Sequence, residues 1–404
     1  MAITKKPETK VPREVFALGW VSLLNDSASE MIHPLLPIFL TQVLRASTVA
    51  LGIIEGIAET TASLLKLVSG ILSDRIRRRK PLVVVGYTLA VLSRPLIGLT
   101  QSWGQVLGLR FFDRIGKGVR TAPRDALIAD VTPPEIRGKA FGVHRSLDHL
   151  GAIVGPILAI VVMAIFGTRL RWVFLLALIP GALAVLILLT FVHEPERKTP
   201  LTSSKESLSL TGWKELSKNY KTFLFIVFLF TLGNATDAFL ILRAQTSGIP
   251  VGWIPALWML FNGSKMLLSV PAGIISDRYG RRITIVLGWL IYGTAYLGFA
   301  VATTAWAVIL LFVYYGLFYA FTEGVERAFV ADLVSAERQG TAYGWYHLMI
   351  GLGSLPASLL FGWIWKTMSP AAAFLVGAGL ALLAMVLLLT LVKEVPSHPT
   401  STSG

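Results

Sequence analysis

Trp172–Val192 reads WVFLLALIPGALAVLILLTFV, an apolar run without one charged residue. Wound as an α-helix at about 1.5 Å per residue, such a run crosses the roughly 30 Å of hydrocarbon in a bilayer. Pro370–Val392 is a second run of the same kind. The composition agrees: 54% of the 404 residues are hydrophobic and 15% charged, against about a quarter charged in soluble domains. The mean hydropathy is +0.66. A chain of this length would otherwise suggest two or three soluble domains, but it lacks the polar residues to cover them. The fold class is an all-α polytopic membrane protein.

Working outward, windows of about twenty apolar residues give twelve candidate transmembrane helices. The first six occupy 15–41, 48–72, 81–101, 104–130, 138–164 and 172–192. The second six occupy 222–243, 250–275, 283–303, 305–331, 338–365 and 370–392. Glu194–Lys221, rich in Pro, Ser, Thr, Lys and Glu, reads as a soluble linker. The expected domains are an N-terminal six-helix bundle at 1–193, a linker at 194–221 and a C-terminal six-helix bundle with a short tail at 222–404.

The net charge of +14 could suggest nucleic acid. The bases, however, cluster in short segments between apolar blocks, which suits the cytoplasmic face of a membrane. Lys5, Lys6, Lys10 and Arg13, the run Arg75 to Lys80, Arg137 and Lys139, the linker lysines, and Arg278, Arg281 and Arg282 all fall on the side of the N-terminus. The other side shows Arg45, Arg169, Arg171, Arg243 and Lys366. The expectation is a multi-pass protein of the cytoplasmic (inner) membrane with both termini cytoplasmic and no nucleic-acid partner. Met1 to Glu14 is polar and basic with no small-residue cleavage site after it, so the first helix is expected to be retained. The absence of cysteine excludes disulfides, thiol chemistry and Cys-based metal sites.

An internal repeat accompanies the six-plus-six count. Gly70-Ile-Leu-Ser-Asp74-Arg75 after the second helix recurs as Gly273-Ile-Ile-Ser-Asp277-Arg278 after the eighth. Asp130, Gly138 and Phe141-Gly142 recur as Asp332, Gly340 and Tyr343-Gly344. Parallel six-helix repeats with a site near the midplane between them are a transporter architecture.

On these residues the chain resembles the major facilitator superfamily, over nearly its whole length. The family signature G-x-L-A/S-D-R-x-G-R-R/K is matched in full by Gly273 through Arg282 and, except for Arg77 in place of glycine, by Gly70 through Arg79. The resemblance implies gating residues at Gly70, Asp74, Arg75, Gly273, Asp277, Arg278, Gly280 and Arg281, where an acid at a helix end pairs with bases and the neighbouring bundle. Arg110 through Gly118 is similar to the family's R-x-x-x-G-x-G-x-G stretch of helix four, which implies a part in proton coupling for Arg110. Gly151-Ala-Ile-Val-Gly155-Pro156 in helix five is similar to the antiporter motif and implies export. Pro34 and Pro37 in helix one occur in drug and metabolite exporters of the family.

Ionisable groups inside a membrane mark a pathway or a buried pair. Asp26, Glu30 and His33 share one face of helix one, spaced i, i+4 and i+7. Helices one, four, seven and ten line the central cavity in the family, so this face is expected to line it. Asp26 and Glu30 are candidate proton carriers, since desolvation favours a neutral carboxyl; the plainer account pairs them with bases on a neighbouring helix. In helix four, Arg110, Asp113, Lys117 and Arg124 fall near one stripe. They read either as a salt-bridge ladder or as a cationic track for an anionic solute, with Arg110 and Arg114 lying deeper than Arg120 and Arg124. Candidate solute-binding residues are Asn25, His33, Asp113, Arg114, Asn234, Asp237, Tyr315, Tyr319 and Glu323. Asn234 and Asp237 read as an echo of Asn25 and Asp26.

Other chemistries fit less well. His144, Asp148, Arg145 and His149 pair along helix five more readily than they form a metal site. Ile115 through Gly118 lacks the phosphate-loop string. No nucleophile stands in a catalytic context. The expected function is therefore secondary transport of a small solute by alternating access, probed first as proton-coupled efflux. Uptake or exchange of an anionic metabolite or metal chelate is the alternative within transport, and a receptor or membrane enzyme the alternative outside it. The expected protein is not an enzyme, needs no cofactor and works as a monomer with solute, protons and lipid as its partners.

Overall fold

The computed structural model describes residues 10–46, 48–76, 78–167, 169–194, 213–235, 237–250 and 253–394. They form twelve long helices. The first group is α1 (Arg13–Ile32), α2 (Thr48–Ile76), α3 (Lys80–Ile97), α4 (Trp103–Val131), α5 (Arg137–Phe166) and α6 (Leu170–Leu176, continued as Leu178–Phe191). The second is α7 (Lys218–Gly233, continued as Ala238–Thr246), α8 (Ile254–Tyr279), α9 (Arg281–Val301), α10 (Ala305–Leu333), α11 (Gln339–Thr367) and α12 (Pro370–Leu391). The two groups are pseudo-symmetric six-helix bundles, as expected.

Seven of these helices, α3, α5, α6 and α9 through α12, are long and apolar enough to cross a membrane on that ground alone. Helix α4 is not, because its inner face carries buried charge. Ser102 and Thr304, which correspond in the two halves, begin α4 and α10 by accepting the amide protons of Gln105 and Ala307, the usual use of a hydroxyl at a helix start.

Two helices expected to run unbroken are interrupted. Helix α1 stops at Ile32, and the chain resumes helical structure only at Leu36. Pro34 has no N–H to give and its ring crowds the preceding turn. Helix α7 stops at Gly233 and resumes at Ala238. The two breaks correspond in the repeat, so Asp237 belongs with Leu35 rather than with Asp26, and the echo between Asn25-Asp26 and Asn234-Asp237 is not one of position. Within the expected linker, residues 195–212 lie outside the described residues, as does Arg77. Trp213–Glu215 forms a single 3-10 turn, with the Trp213 ring 4.6 Å from that of Trp345 on α11.

The halves meet along two helix pairs, α5 with α8 and α2 with α11. Small residues bring these backbones together, as in other membrane helix pairs. A Cβ at Gly70 would collide with the carbonyl oxygen of Gly340, and a Cβ at Gly273 with that of Gly138. The interiors of the halves differ. Behind α7 and α10 lies an aromatic core in which Phe230 stacks on Trp289 at 4.5 Å, with Tyr292, Tyr296, Tyr315 and Phe318 around them. Between α1, α3 and α4 lies a buried ionic network instead.

Candidate functional site

At the end of the bundle where the bases cluster, here the basic face, each half reaches into the other. Asp74, near the end of α2, accepts the amide protons of Gly340 (3.0 Å) and Thr341 (2.6 Å) at the start of α11. Asp277, near the end of α8, accepts those of Gly138 (2.8 Å) and Lys139 (2.7 Å) at the start of α5. A carboxylate placed there satisfies amides that have no partner within their own helix and faces the positive end of the helix dipole.

Beside each acid runs an arginine. Arg79 Nε lies 2.6 Å from Asp130, and its Nη2 donates to the Ala336 carbonyl of the other half at 3.2 Å. Arg281 pairs with Asp277 and with Asp332 (3.1 Å), and its Nη2 donates to the Pro134 carbonyl of the other half at 2.9 Å. Arg137 adds a bridge to Asp332 at 2.7 Å. Arg75 and Arg278, expected in this cluster, point outward and are exposed; the Arg278 guanidinium lies over Tyr279. Arg79, Arg137 and Arg281 each reach from one half to the other. The first half spends one residue more between acid and arginine than the second, where Gly280 turns the chain at φ 101°.

Deeper in the first half, Asp113 is buried among arginines: Arg94 at 2.8 Å, Arg110 at 3.3 Å and Arg114 at 3.9 Å. Arg94 also donates to the Asn25 carbonyl (3.0 Å) and side-chain oxygen (2.9 Å), and Arg120 donates to that same oxygen at 3.0 Å while lying over the Tyr87 ring. Around Asn25, Arg110 and Asp113, the structure thus forms the salt-bridge ladder that was one of the two readings of helix four.

Between the halves lies a cavity of about 570 Å³. Of the sequence candidates, Asp26, Glu30, His33 and Arg114 line it from the first half, and Asn234, Tyr319 and Glu323 from the second. Asn25, Arg110, Asp113, Asp237 and Tyr315 stand behind the wall. Asp237 there accepts from Tyr315 at 3.1 Å and Tyr319 at 3.3 Å, and Lys265 Nζ lies 3.6 Å from the centroid of the Tyr319 ring. Asp26 takes a hydrogen bond from Asn25 at 2.8 Å and sits beside Asp148, which in turn holds Arg145 at 2.6 Å and Ser22. Two imidazoles bridge the halves: His347 on α11 to Asp125 on α4 at 2.9 Å, and His149 on α5 to Glu323 on α10 at 3.1 Å.

The wall counts eight Lys and Arg side chains against five Asp and Glu, so its formal charge is positive. Several of these residues escape sequence reading. Arg94 and His347 sit singly in apolar windows, Arg327 follows Glu323 and Glu326 and reads as their local partner, and Arg120 and Arg124 read as belonging to the end of helix four. The available signal was the intramembrane charge itself. Among the described residues, no group of three or more His, Asp and Glu is placed to hold a metal ion.

Two six-helix halves, paired through reciprocal acid-to-helix contacts around one polar cavity, match a known family. Its profile, described as Major Facilitator Superfamily, matches residues 18–262 and 238–404. The chain belongs to the major facilitator superfamily. It is 38% identical over 388 residues to an uncharacterized MFS-type transporter of Methanocaldococcus jannaschii, covering 95% of this chain and 96% of that one. The hexuronate transporter of Bacillus subtilis is 24% identical over 414 residues, with 96% of each chain covered. Among solved structures, the human organic anion transporter MFSD10 superposes with a TM-score of 0.80 at 18% identity, over 95% of this chain and all of that one. The chain is accordingly a multi-pass membrane transporter of this superfamily.

Proposed function

We propose that this transporter is a proton-coupled secondary carrier of a small organic anion, working by alternating access between its two halves. The observation that carries the reading is the cationic wall of the cavity: Arg114, Lys117, Arg120, Arg124 and Arg145 gather on one side of it. Buried charge is costly unless paired, so an excess of arginine in a membrane interior calls for an anion to offset it. Asp113 offsets part of that charge from behind the wall, and a bound anion would offset more. That a hexuronate transporter and an organic anion transporter are among the similar proteins supports the same cargo chemistry.

Coupling rests on the acids of α1. Asp26 and Glu30 line the cavity, and Asp26 sits beside Asp148. Two carboxyl groups in contact repel when both are ionised and are joined when one proton lies between them. Loading and emptying of the cavity therefore changes how many protons this cluster holds. The basic-face contacts of Asp74 and Asp277 serve as the latch that opens and closes as the halves rock, with 194–221 as the tether between bundles. The basic face is cytoplasmic in this reading, by the positive-inside rule. Export is the direction we favour, on the proline motif of α5; the glycines of that motif, Gly151 and Gly155, also pack α5 against α1.

The test is counterflow in proteoliposomes across a charge series. Preloaded organic carboxylates should accelerate entry of a labelled carboxylate, whereas neutral and cationic solutes of equal size should not. Counterflow with neutral or cationic solutes alone would refute the anion reading.

A further inference from the structure

The two halves line the cavity with different chemistry. Among the described residues, the side chains contributed by the first half are all polar or charged, with seven Lys and Arg against three acids. The hydrocarbon and phenyl-bearing side chains all come from the second half, where they stand beside Glu323, Glu326, Arg327 and His347: Val227 and Phe230 on α7, Phe318 and Tyr319 on α10, Tyr346 and Ile350 on α11. Among the described residues, arginines of the first half's wall also carry donor nitrogens without an acceptor, closed off beneath its surface. Arg145 is 7% exposed; one of its guanidinium nitrogens holds Asp148 at 2.6 Å, while Nε and Nη2 are buried with no acceptor. Arg120, 5% exposed, leaves its Nε without one. Buried donors without partners cost free energy, and a guanidinium that turns toward the cavity takes a carboxylate in a two-point hydrogen bond.

We infer that the preferred cargo is an amphipathic organic acid, its carboxylate held by Arg145 and Arg120 and its ring or hydrocarbon body laid against Phe230, Phe318 and Tyr346. This rests on the anion reading above and narrows it to one chemical class with one orientation. A small hydrophilic acid engages the basic side chains and leaves the aliphatic and aromatic ones against water. A neutral aromatic covers the latter and leaves the arginines unmatched. Only a molecule with both parts serves both walls, and the aromatic faces provide the stacking surfaces for a ring.

The experiment is ligand-dependent thermal protection and calorimetric binding with the purified full-length protein, using 3-phenylpropionate, acetate, succinate and 3-phenylpropanol. The phenyl acid should bind at least about tenfold more tightly than acetate or succinate, given the apolar area its ring buries, and at least about tenfold more tightly than the alcohol, given the charge-assisted contact. Phe318→Leu, which keeps the core filled but removes the aromatic face, should weaken the phenyl acid several times more than it weakens succinate. Arg145→Lys, which keeps the charge beside Asp148 but removes the forked donors, should weaken the acid relative to the alcohol. If succinate or acetate matches the phenyl acid, the two-walled inference fails while the anion reading stands. If the alcohol matches the acid, or nothing binds, both fail.

Discussion

The carboxylate of Asp277 accepts the amide proton of Gly138 at 2.8 Å, tying the end of α8 to the first turn of α5 in the other half. Asp74 makes the same contact with Gly340 at 3.0 Å, with the halves exchanged. The two contacts close the basic face symmetrically, and each is a charge-assisted hydrogen bond worth about 1.5–3 kcal/mol in general terms.

Neutralising these acids should loosen that face. Asp74→Asn and Asp277→Asn are each expected to slow transport severalfold with normal membrane insertion, and the double variant to slow it further. Because the chain has no cysteine, spin labels placed through Arg78→Cys and Ser335→Cys report the separation of the halves without background. The double variant should shift that distance distribution to longer values. An unchanged distribution with full transport rates would reduce these contacts to bystanders.

Glycine at the crossing points makes a sharper steric test. Gly70→Ala and Gly273→Ala each put a methyl group into a backbone carbonyl of the opposite half. Both should hold the basic face apart, lengthening the same label distance and reducing transport at least about tenfold, since backbone cannot yield as a flexible side chain does. A label distance equal to that of the wild type would mean the helices slide past the added methyl.

The ladder around Asp113, which meets the cavity wall at Arg94 and Arg114, should govern stability rather than selectivity. Arg94→Gln removes the closest partner of Asp113 and one of the two donors to the Asn25 side-chain oxygen, a loss of about 1.5–3 kcal/mol for each charge-assisted bond. A clear fall in the thermal midpoint is expected, with the ranking of solutes unchanged in whatever fraction remains folded. Arg94→Lys, which keeps a positive charge beside Asp113, should lose less than Arg94→Gln. A changed solute ranking at wild-type stability would move Arg94 from scaffold to binding site.

Much of this arrangement was legible in the sequence. Apolar runs such as Trp172–Val192 gave the helices directly, because hydrocarbon tolerates little else over that length. The repeated Gly70–Asp74 and Gly273–Asp277 strings gave the pairing of halves. The signature pattern pointed to Arg75, Arg278 and Arg281; Arg281 does cross, and so do Arg79 and Arg137, which the pattern did not mark. Which base turns inward depends on the geometry of the turn after the helix, and hydropathy does not encode that. The interruption of α7 at Asn234 was hidden for a similar reason: no proline marks it among the residues flanking the break. Arg94 escaped because one charge barely lowers the mean of an apolar window, although its environment makes it one of the most constrained side chains present.

The acids of α1 separate coupling from translocation. Asp26→Asn should abolish solute accumulation driven by a pH gradient while solute–solute counterflow continues, since exchange needs no net proton movement. Glu30→Gln should show a weaker form of the same defect, because Glu30 lacks the contact with Asp148. Full gradient-driven accumulation by both variants would make these carboxyls structural.

The most direct test of proton-coupled anion transport is simultaneous recording of proton and labelled organic-acid flux in proteoliposomes under an imposed pH gradient. The account predicts that the gradient drives the acid to accumulate, that adding the acid moves protons in fixed proportion to it, and that Asp26→Asn breaks the proportion. Acid movement indifferent to the gradient and unaccompanied by protons would contradict it.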